Sequence, residues 1–211
     1  MPITLTLPDG AFLSCRAVLF DLDGVLVDSM PTIVAQLREW ATGRGLEPDR
    51  VVEQSHGRGN LDLVRLVAPD LDAEREARLM EEREVDDVDG ITARPGARAA
   101  LDALPPSAWA VVTSGNNRVA RARLRVTNLP VPGVLVSADD VRKSKPDPEG
   151  YLAAAAGLGV DPRECVVFED APAGIAAARA GGMQVVGVLG TVAQLDVEHT
   201  VPDLAAVGVK P

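Results

Sequence analysis

Cysteine is almost missing from this chain of 211 residues: only Cys15 and Cys165 occur, each beside an apolar run and in no paired spacing. Two reduced, buried thiols of a cytoplasmic protein are expected, rather than a disulfide framework. Long hydrophobic runs are missing too. None approaches the roughly 18 to 20 apolar residues that a membrane span needs, so no membrane is expected as a partner. The start, Met1-Pro2-Ile3-Thr4-Leu5, has no basic region followed by an apolar core and does not read as a signal peptide. Basic residues are in deficit, 21 against 31 acidic ones for a net charge of −10, which argues against nucleic acid as the main partner. The same deficit sets a problem for any anionic ligand, because local cations must overcome a repulsive background. Lysine is the scarcest cation: Lys143, Lys145 and Lys210 stand against 18 arginines. Internal repeats and low-complexity linkers are lacking as well. What remains, 46% hydrophobic and 25% charged residues, is the composition of an ordinary soluble globular protein, one large domain or a core with a smaller insert.

The stretch Ala17-Val18-Leu19-Phe20 is apolar and branched, and it runs into Asp21-Leu22-Asp23-Gly24. It reads as a buried strand that stops abruptly with two carboxylates at its end. Before it, Ile3–Leu7 and Ala11–Cys15 flank Pro8-Asp9-Gly10 in the form of a hairpin. After it, Ser29 or Asp28 can cap a helix from near Pro31 to Gly43. Between there and about Gly90 the periodic stretches Asp49–Ser55, Asn60–Val67 and Ala73–Val85 are helical and charged, with no strand among them. From Pro95 the pattern alternates. Helix Gly96–Leu104 precedes strand Trp109–Val112; helix Asn117–Thr127 precedes strand Val134–Val136. Helix Pro148–Gly157 precedes strand Glu164–Phe168, and helix Pro172–Gly181 precedes strand Gln184–Val188. Strands alternating with helices give a parallel, doubly wound α/β sheet. The helical block interrupts that alternation just after its first strand, so it is expected as a cap over the strands' carboxyl ends. The expected division is residues 1–28 and 91–211 as an α/β core and 29–90 as an all-helical cap.

In an open parallel sheet, ligands bind outside the carboxyl ends of the strands. Polar residues collect at those ends in this sequence: Asp21 and Asp23, then Thr113-Ser114-Gly115, then Lys145 in a loop, then Glu169-Asp170. Each has a plain structural alternative when met alone. An aspartate pair at a strand end serves turns and helix caps, Thr-Ser-Gly is a common turn, and Glu-Asp before Pro starts helices. Taken together they supply a carboxylate nucleophile, a second carboxylate, hydroxyl and amide donors, an ammonium and an acidic pair for a divalent cation. Those are the parts that phosphoryl transfer needs. A chain that otherwise prefers arginine retains a compact ammonium at Lys145, which suits contact with both a carboxylate and a phosphate.

Asp21-Leu22-Asp23-Gly24-Val25, Val112-Thr113-Ser114-Gly115, Lys145-Pro146 and Glu169-Asp170-Ala171-Pro172-Ala173-Gly174 together resemble the four ordered motifs of the haloacid dehalogenase superfamily. Within it the chain resembles the capped sugar-phosphate phosphatases and the β-phosphoglucomutase-like branch, over nearly its whole length. The resemblance implies a Rossmann-like core and a nucleophile, Asp21, that forms an aspartyl-phosphate. Asp23 is then the general acid for the leaving alkoxide and the base for the hydrolytic water. Thr113, the backbone at Ser114 and Gly115, and Lys145 would hold the transferred phosphate. Asp21, Asp170 and the backbone carbonyl of Asp23 would bind Mg²⁺, with Glu169 supporting it through water.

In the cap, His56-Gly57-Arg58-Gly59-Asn60 is similar to a segment that faces the site in such phosphatases, which makes His56 and Arg58 candidate substrate contacts. An exposed arginine and a capping histidine fit the same residues. His199 reads as a surface residue, and Glu81-Glu82-Arg83-Glu84 as a solvated helix face, although similar phosphatases have a charged residue hereabouts that meets the ligand. The implied activity is Mg²⁺-dependent hydrolysis of small phosphorylated sugars or polyols by a cytoplasmic monomer. A phosphomutase is the alternative, but Ile33 and Asn60 stand where the mutase resemblance places a His and an Arg. A receiver-type signalling domain shares the acidic residues, Thr, Lys and Mg²⁺, yet needs neither the helical insert nor Asp23. Dehalogenases usually lack the second aspartate of the first motif.

Overall fold

The computed structural model describes residues 2–55, 57–190 and 194–210. Its organising strand is Ala17–Phe20, buried along its whole length. Successive side chains of a strand point to opposite faces, and here Val18 and Phe20 join one apolar cluster while Ala17 and Leu19 join another. The sheet is therefore covered on both sides, as parallel sheets are.

In chain order the elements are β1 (Ile3–Thr6), β2 (Phe12–Cys15), β3 (Ala17–Phe20) and β4 (Val27–Asp28). Four helices follow: α1 (Met30–Gly43), α2 (Pro48–Ser55), α3 (Asn60–Val67) and α4 (Ala73–Asp86). Then come β5 (Thr92–Ala93), α5 (Ala97–Ala103), β6 (Trp109–Val112), α6 (Asn117–Val126), β7 (Leu135–Val136) and α7 (Glu149–Leu158). The last elements are β8 (Cys165–Glu169), α8 (Pro172–Ala180), β9 (Gln184–Val188), β10 (His199–Val201) and β11 (Gly208–Lys210).

Six strands form a parallel sheet in the order β10-β9-β8-β3-β6-β7. The chain winds outward from β3 through β6 to β7, then returns to the other side through β8, β9 and β10. That reversal makes β3 the switch point, where two neighbouring loops diverge and leave a crevice. Register brings the ends of β3, β6 and β8 level, Phe20 lying opposite both Val111 and Phe168. The rings of Phe20 and Phe168 stack at 5.5 Å, which fixes the two strand ends beneath the acidic residues that follow them.

The four helices lie consecutively between β4 and β5 and carry an apolar cluster of their own, including Leu37, Val51, Leu63, Val64 and Met80. Their entrance and exit are tied side by side, since β4 and β5 pair antiparallel with Val27 opposite Ala93 and Asp28 opposite Thr92. The sequence pattern does not disclose this ribbon, because two-residue strands carry no periodicity.

The expected hairpin is present as β1 and β2, but β11 adds to β1 and makes a three-stranded antiparallel sheet. The tail also supplies β10 at the edge of the main sheet. His199 opens that strand. It is not the surface residue expected from sequence: its side chain is mostly buried, and its Nδ1 lies 2.9 Å from Asp9 Oδ2 in the β1–β2 turn region. The two thiols are buried and free, as expected. Burial pushes Cys15 up to about 12 and Cys165 up to about 11, so both stay protonated.

Candidate active site

Lys145 is the hub where three strands end. Its ammonium donates to Asp21 Oδ1 at 2.5 Å, just after β3, and to Glu169 Oε1 at 2.6 Å, the last residue of β8. A longer bond, 3.3 Å, goes to the carbonyl of Val112 at the end of β6. An ammonium has three donors, and here each has an acceptor from a different strand. The ring of Tyr151 on α7 lies 5.1 Å from the same Nζ, and its hydroxyl donates to Glu169 Oε1 at 2.8 Å.

Glu169 is 1% exposed, and a carboxylate so deeply buried survives only when its oxygens are engaged. Besides Lys145 and Tyr151 on one oxygen, the other accepts the backbone N–H groups of Asp170 and Ala171 at 3.0 and 3.1 Å. Gly174 explains the end of the Glu-Asp-Ala-Pro-Ala-Gly motif. A Cβ there would lie 1.6 Å from Glu169 Oε1, so the first turn of α8 must pass the carboxylate without a side chain. Helix propensity alone has alanine stabilising this position by up to about 1 kcal/mol. Gly174→Ala is instead expected to destabilise by roughly 1–3 kcal/mol in urea denaturation, because overpacking dominates; a more stable variant would contradict the placement of Glu169.

Asp170 lies over Gly24, whose φ is +85° and where a Cβ would stand 1.9 Å from Asp170 Oδ2. Oxygens of Asp21, Glu169 and Asp170 come within 4.8 Å of one another. One ammonium cannot balance three such carboxylates. Burial, opposed by Lys145 and aided by Glu169, Asp170 and Asp23, pushes the Asp21 carboxyl well above the usual range. Burial also works against the charge on Lys145, but Asp21 and Glu169 outweigh it and hold the ammonium above its ordinary value. A hard divalent cation on these oxygens would make up the missing positive charge, and an all-oxygen donor set is what such ions take.

Asp23 points elsewhere. Its Oδ1 accepts the Ser29 hydroxyl at 2.5 Å, and its Oδ2 accepts from the Arg123 guanidinium. Ser29, one of the two cap candidates of the sequence pattern, does stand at the N-cap of α1, but its side chain makes no capping bond there; its hydroxyl donates to Asp23. Two carboxylates two residues apart thus stand in different surroundings, one against an ammonium in an acidic cluster and one against a guanidinium and a hydroxyl.

These groups line one cavity of about 370 Å³, walled by Asp21, Asp23, Thr113, Ser114, Gly115, Lys145, Glu169 and Asp170 from the strand ends. Its other wall comes from the four helices and the loop between α2 and α3: Met30, Ile33, Leu37, Glu53, Ser55, Gly57, Arg58, Gly59, Asn60 and Glu84. Thr113 is buried, with its Oγ1 accepting from the Gly115 N–H at 3.1 Å. The Ser114 hydroxyl reaches the Gly57 carbonyl at 3.4 Å, across to the helical side. Arg58 lines the cavity, with its guanidinium hydrogen-bonded to the Gln54 carbonyl at 2.7 Å. His56, the other candidate of that loop, lies outside the described residues.

The model of the haloacid dehalogenase-like hydrolase family matches residues 15–182. The chain belongs to that family. Among relatives in it, hexitol phosphatase A of Escherichia coli (strain K12) is 42% identical over 179 residues, covering 82% of this chain and 83% of its own. Glycerol-1-phosphate phosphohydrolase 1 of Saccharomyces cerevisiae is 37% identical over 192 residues, covering 85% of this chain and 76% of its own. A solved structure of a hydrolase from Pseudomonas syringae superposes with a TM-score of 0.77 at 28% identity, covering 90% of this chain and 94% of that one. The parallel six-stranded sheet is the family's Rossmann-like core, as the motif resemblance implies.

Two site residues escape the sequence reading. Glu84, read with its acidic neighbours as solvated, is turned inward; its carboxylate accepts from Asn60 Nδ2 at 2.6 Å and from Arg123. Arg123 itself is 3% exposed. A signal for it exists in the helical period. Val119, Ala120 and Leu124 form the buried face of α6, and position 123 falls on that same face.

Proposed function

We propose that this family member is a Mg²⁺-dependent phosphatase that hydrolyses small phosphorylated sugars or polyols through an aspartyl-phosphate on Asp21. The observation that carries the reading is the shared cavity in which Lys145 grips Asp21 while Asp23 stands apart in a separate setting. A carboxylate oxygen of Asp21 attacks phosphorus, and the ester oxygen leaves with a proton from Asp23. Asp23 next takes a proton from a water molecule, whose oxygen attacks the phosphoryl group and frees Asp21 and inorganic phosphate. Thr113, the backbone at Ser114 and Gly115, and Lys145 hold the phosphoryl oxygens in this scheme.

Asp21 and Asp170 would hold the metal with the backbone of Asp23, Glu169 acting behind them. When bound, the ion supplies positive charge against that building on the transferred group.

The four helices, residues 29–90, act as a cap over the core of 1–28 and 91–211. A cavity of about 370 Å³ suits a small ligand. Its cap side mixes Met30, Ile33 and Leu37 with Glu53, Ser55, Asn60 and Glu84, apolar surface for a carbon chain and acceptors for its hydroxyls. The names of the hexitol and glycerol-1-phosphate enzymes support the same substrate class.

Assay of a panel of phosphorylated hexitols, glycerol phosphates and hexoses, read for both free phosphate and isomerised product, tests the reading. Free phosphate from a polyol ester is expected; isomerised sugar phosphate without net release would make the protein a mutase. Two further outcomes are expected. EDTA abolishes turnover and Mg²⁺ restores it, whereas a chelator-insensitive rate would remove the metal from the scheme. Asp23→Ala lowers kcat on an alkyl phosphate at least about 10²-fold, the size of a general-acid contribution.

A further inference from the structure

Helix α6 carries four arginines, and three of them, Arg118, Arg121 and Arg125, are exposed. The fourth, Arg123, occupies the buried face, where an aliphatic residue would pack at no electrostatic cost. Burying a guanidinium is strongly unfavourable unless carboxylates receive it. Two do, and they come from opposite walls of the cavity. Nη1 donates to Asp23 Oδ2 after β3, and Nη2 donates to Glu84 Oε2 on α4. The free oxygen of each acid is also engaged, Asp23 Oδ1 by Ser29 and Glu84 Oε1 by Asn60. The result is one continuous line, Ser29–Asp23–Arg123–Glu84–Asn60, that crosses from the strand ends to the helical block. Arg123 Nε finds no partner among the described residues, so nothing else pins the guanidinium plane.

We propose that Arg123 is a positioning residue that couples the seating of the helical block to the placement of the Asp23 carboxylate. This rests on the reading of Asp23 and of the cap given above. Weaker contacts join the same two parts, Ser144 Oγ to Asp62 Oδ2 at 2.8 Å and Ser114 Oγ to the Gly57 carbonyl at 3.4 Å, but neither touches an acid that handles the proton. Seated, the block brings Glu84 and Asn60 to hold one arm of the fork, and the other arm then fixes Asp23 Oδ2. Lifted, it takes both residues away, and a guanidinium left with a single carboxylate no longer has a defined direction. A planar, two-armed cation holds its two acids in fixed directions along a rigid fork; the compact ammonium of a lysine on its flexible stem does not reproduce that span and direction. The acid/base is thus in register only when the block is down over a substrate, which spares the phosphorylated enzyme from reacting with the cavity open.

Arg123→Ala, Arg123→Lys, Glu84→Gln and the double variant Arg123→Ala/Glu84→Gln are compared in the full-length protein, on an alkyl polyol phosphate that needs its leaving group protonated. Arg123→Ala is expected to lower kcat at least about 10²-fold, the scale of the proton transfer it supports, with KM changed less than about threefold. Added ethylguanidinium at millimolar concentration restores part of that loss, and Arg123→Lys does not. Glu84→Gln, which keeps the Asn60 contact, lowers kcat about tenfold, and the double variant is no worse than Arg123→Ala alone, because the two act through one group.

Losses in the two single variants that multiply, a loss confined to KM, or failure of guanidinium to restore any activity would each overturn the coupling. Should Arg123→Ala fail to fold, Arg123→Lys and Glu84→Gln still decide, since both keep a hydrogen-bonding group in place: unchanged kcat in both refutes the proposal. A wild-type protein inactive on every phosphate ester refutes the phosphatase reading instead, before any variant is compared.

Discussion

Asp21→Asn is expected to lower kcat at least about 10³-fold while leaving the protein folded, because an amide fills the same space but does not attack phosphorus. The accompanying change in stability has a definite sign. A carboxyl whose folded-state pKa lies above its unfolded value makes the fold less stable as pH rises from the unfolded value through the folded one. Asp21 is such a group, raised by burial and then by its acidic neighbours despite Lys145. The asparagine does not titrate, and the ammonium keeps Glu169. Metal-free Asp21→Asn should therefore melt at or above the temperature of metal-free wild type at pH 7, and the gap should close toward pH 4. Activity within tenfold of wild type, or a variant that melts well below it, would count against Asp21 as a buried nucleophile.

Lys145→Met is expected to damage both fold and function. Its side chain is 8% exposed and bridges two acids that are 11% and 1% exposed. Removing one partner of a buried charge pair costs about 3–5 kcal/mol, because the remaining charge has no compensation. For a chain of this size each kcal/mol lowers Tm by roughly 2–4 °C. Tyr151 and two backbone amides still serve Glu169, so the variant should fold, less stably. The deficit should be larger at pH 8 than at pH 5, where the stranded Asp21 carboxyl, already raised by burial, can take up a proton. Turnover should fall at least about 10²-fold, since phosphoryl contact and Asp21 orientation are lost together. Equal stability at both pH values would mean that Lys145 is not the hub described.

The core and most of the site were legible because their signals are local. Branched apolar runs ending in Asp, Thr-Ser-Gly or Glu-Asp mark strand ends, and the reversal at β3 brings those ends to one rim. Gly24 and Gly174 also stood in the motifs, but the reason for each, Asp170 and Glu169 lying where a Cβ would be, is visible only in three dimensions. The tail strands β10 and β11 are three residues long, too short to show a period. Arg123 and Glu84 were missed for a different reason. Charged residues are read as solvated by default, and a pair 39 positions apart announces itself only when two helices from separate segments meet. Ser29 does take the N-cap position of α1, one of the two candidates the pattern offers, but that its hydroxyl donates to Asp23 depends on the turn after β3 and is visible only in three dimensions.

The central claim is that Asp21 carries the phosphoryl group. Rapid acid quenching of Asp23→Ala during turnover of p-nitrophenyl phosphate, whose leaving group departs without a proton from Asp23, followed by peptide mass spectrometry, addresses it most directly. With the proton acceptor for water removed, the phosphorylated enzyme should accumulate, and the account predicts one added phosphoryl group on the peptide containing Asp21 and on no other. Turnover with no labelled peptide at any quench time, or a label on a different residue, would contradict it.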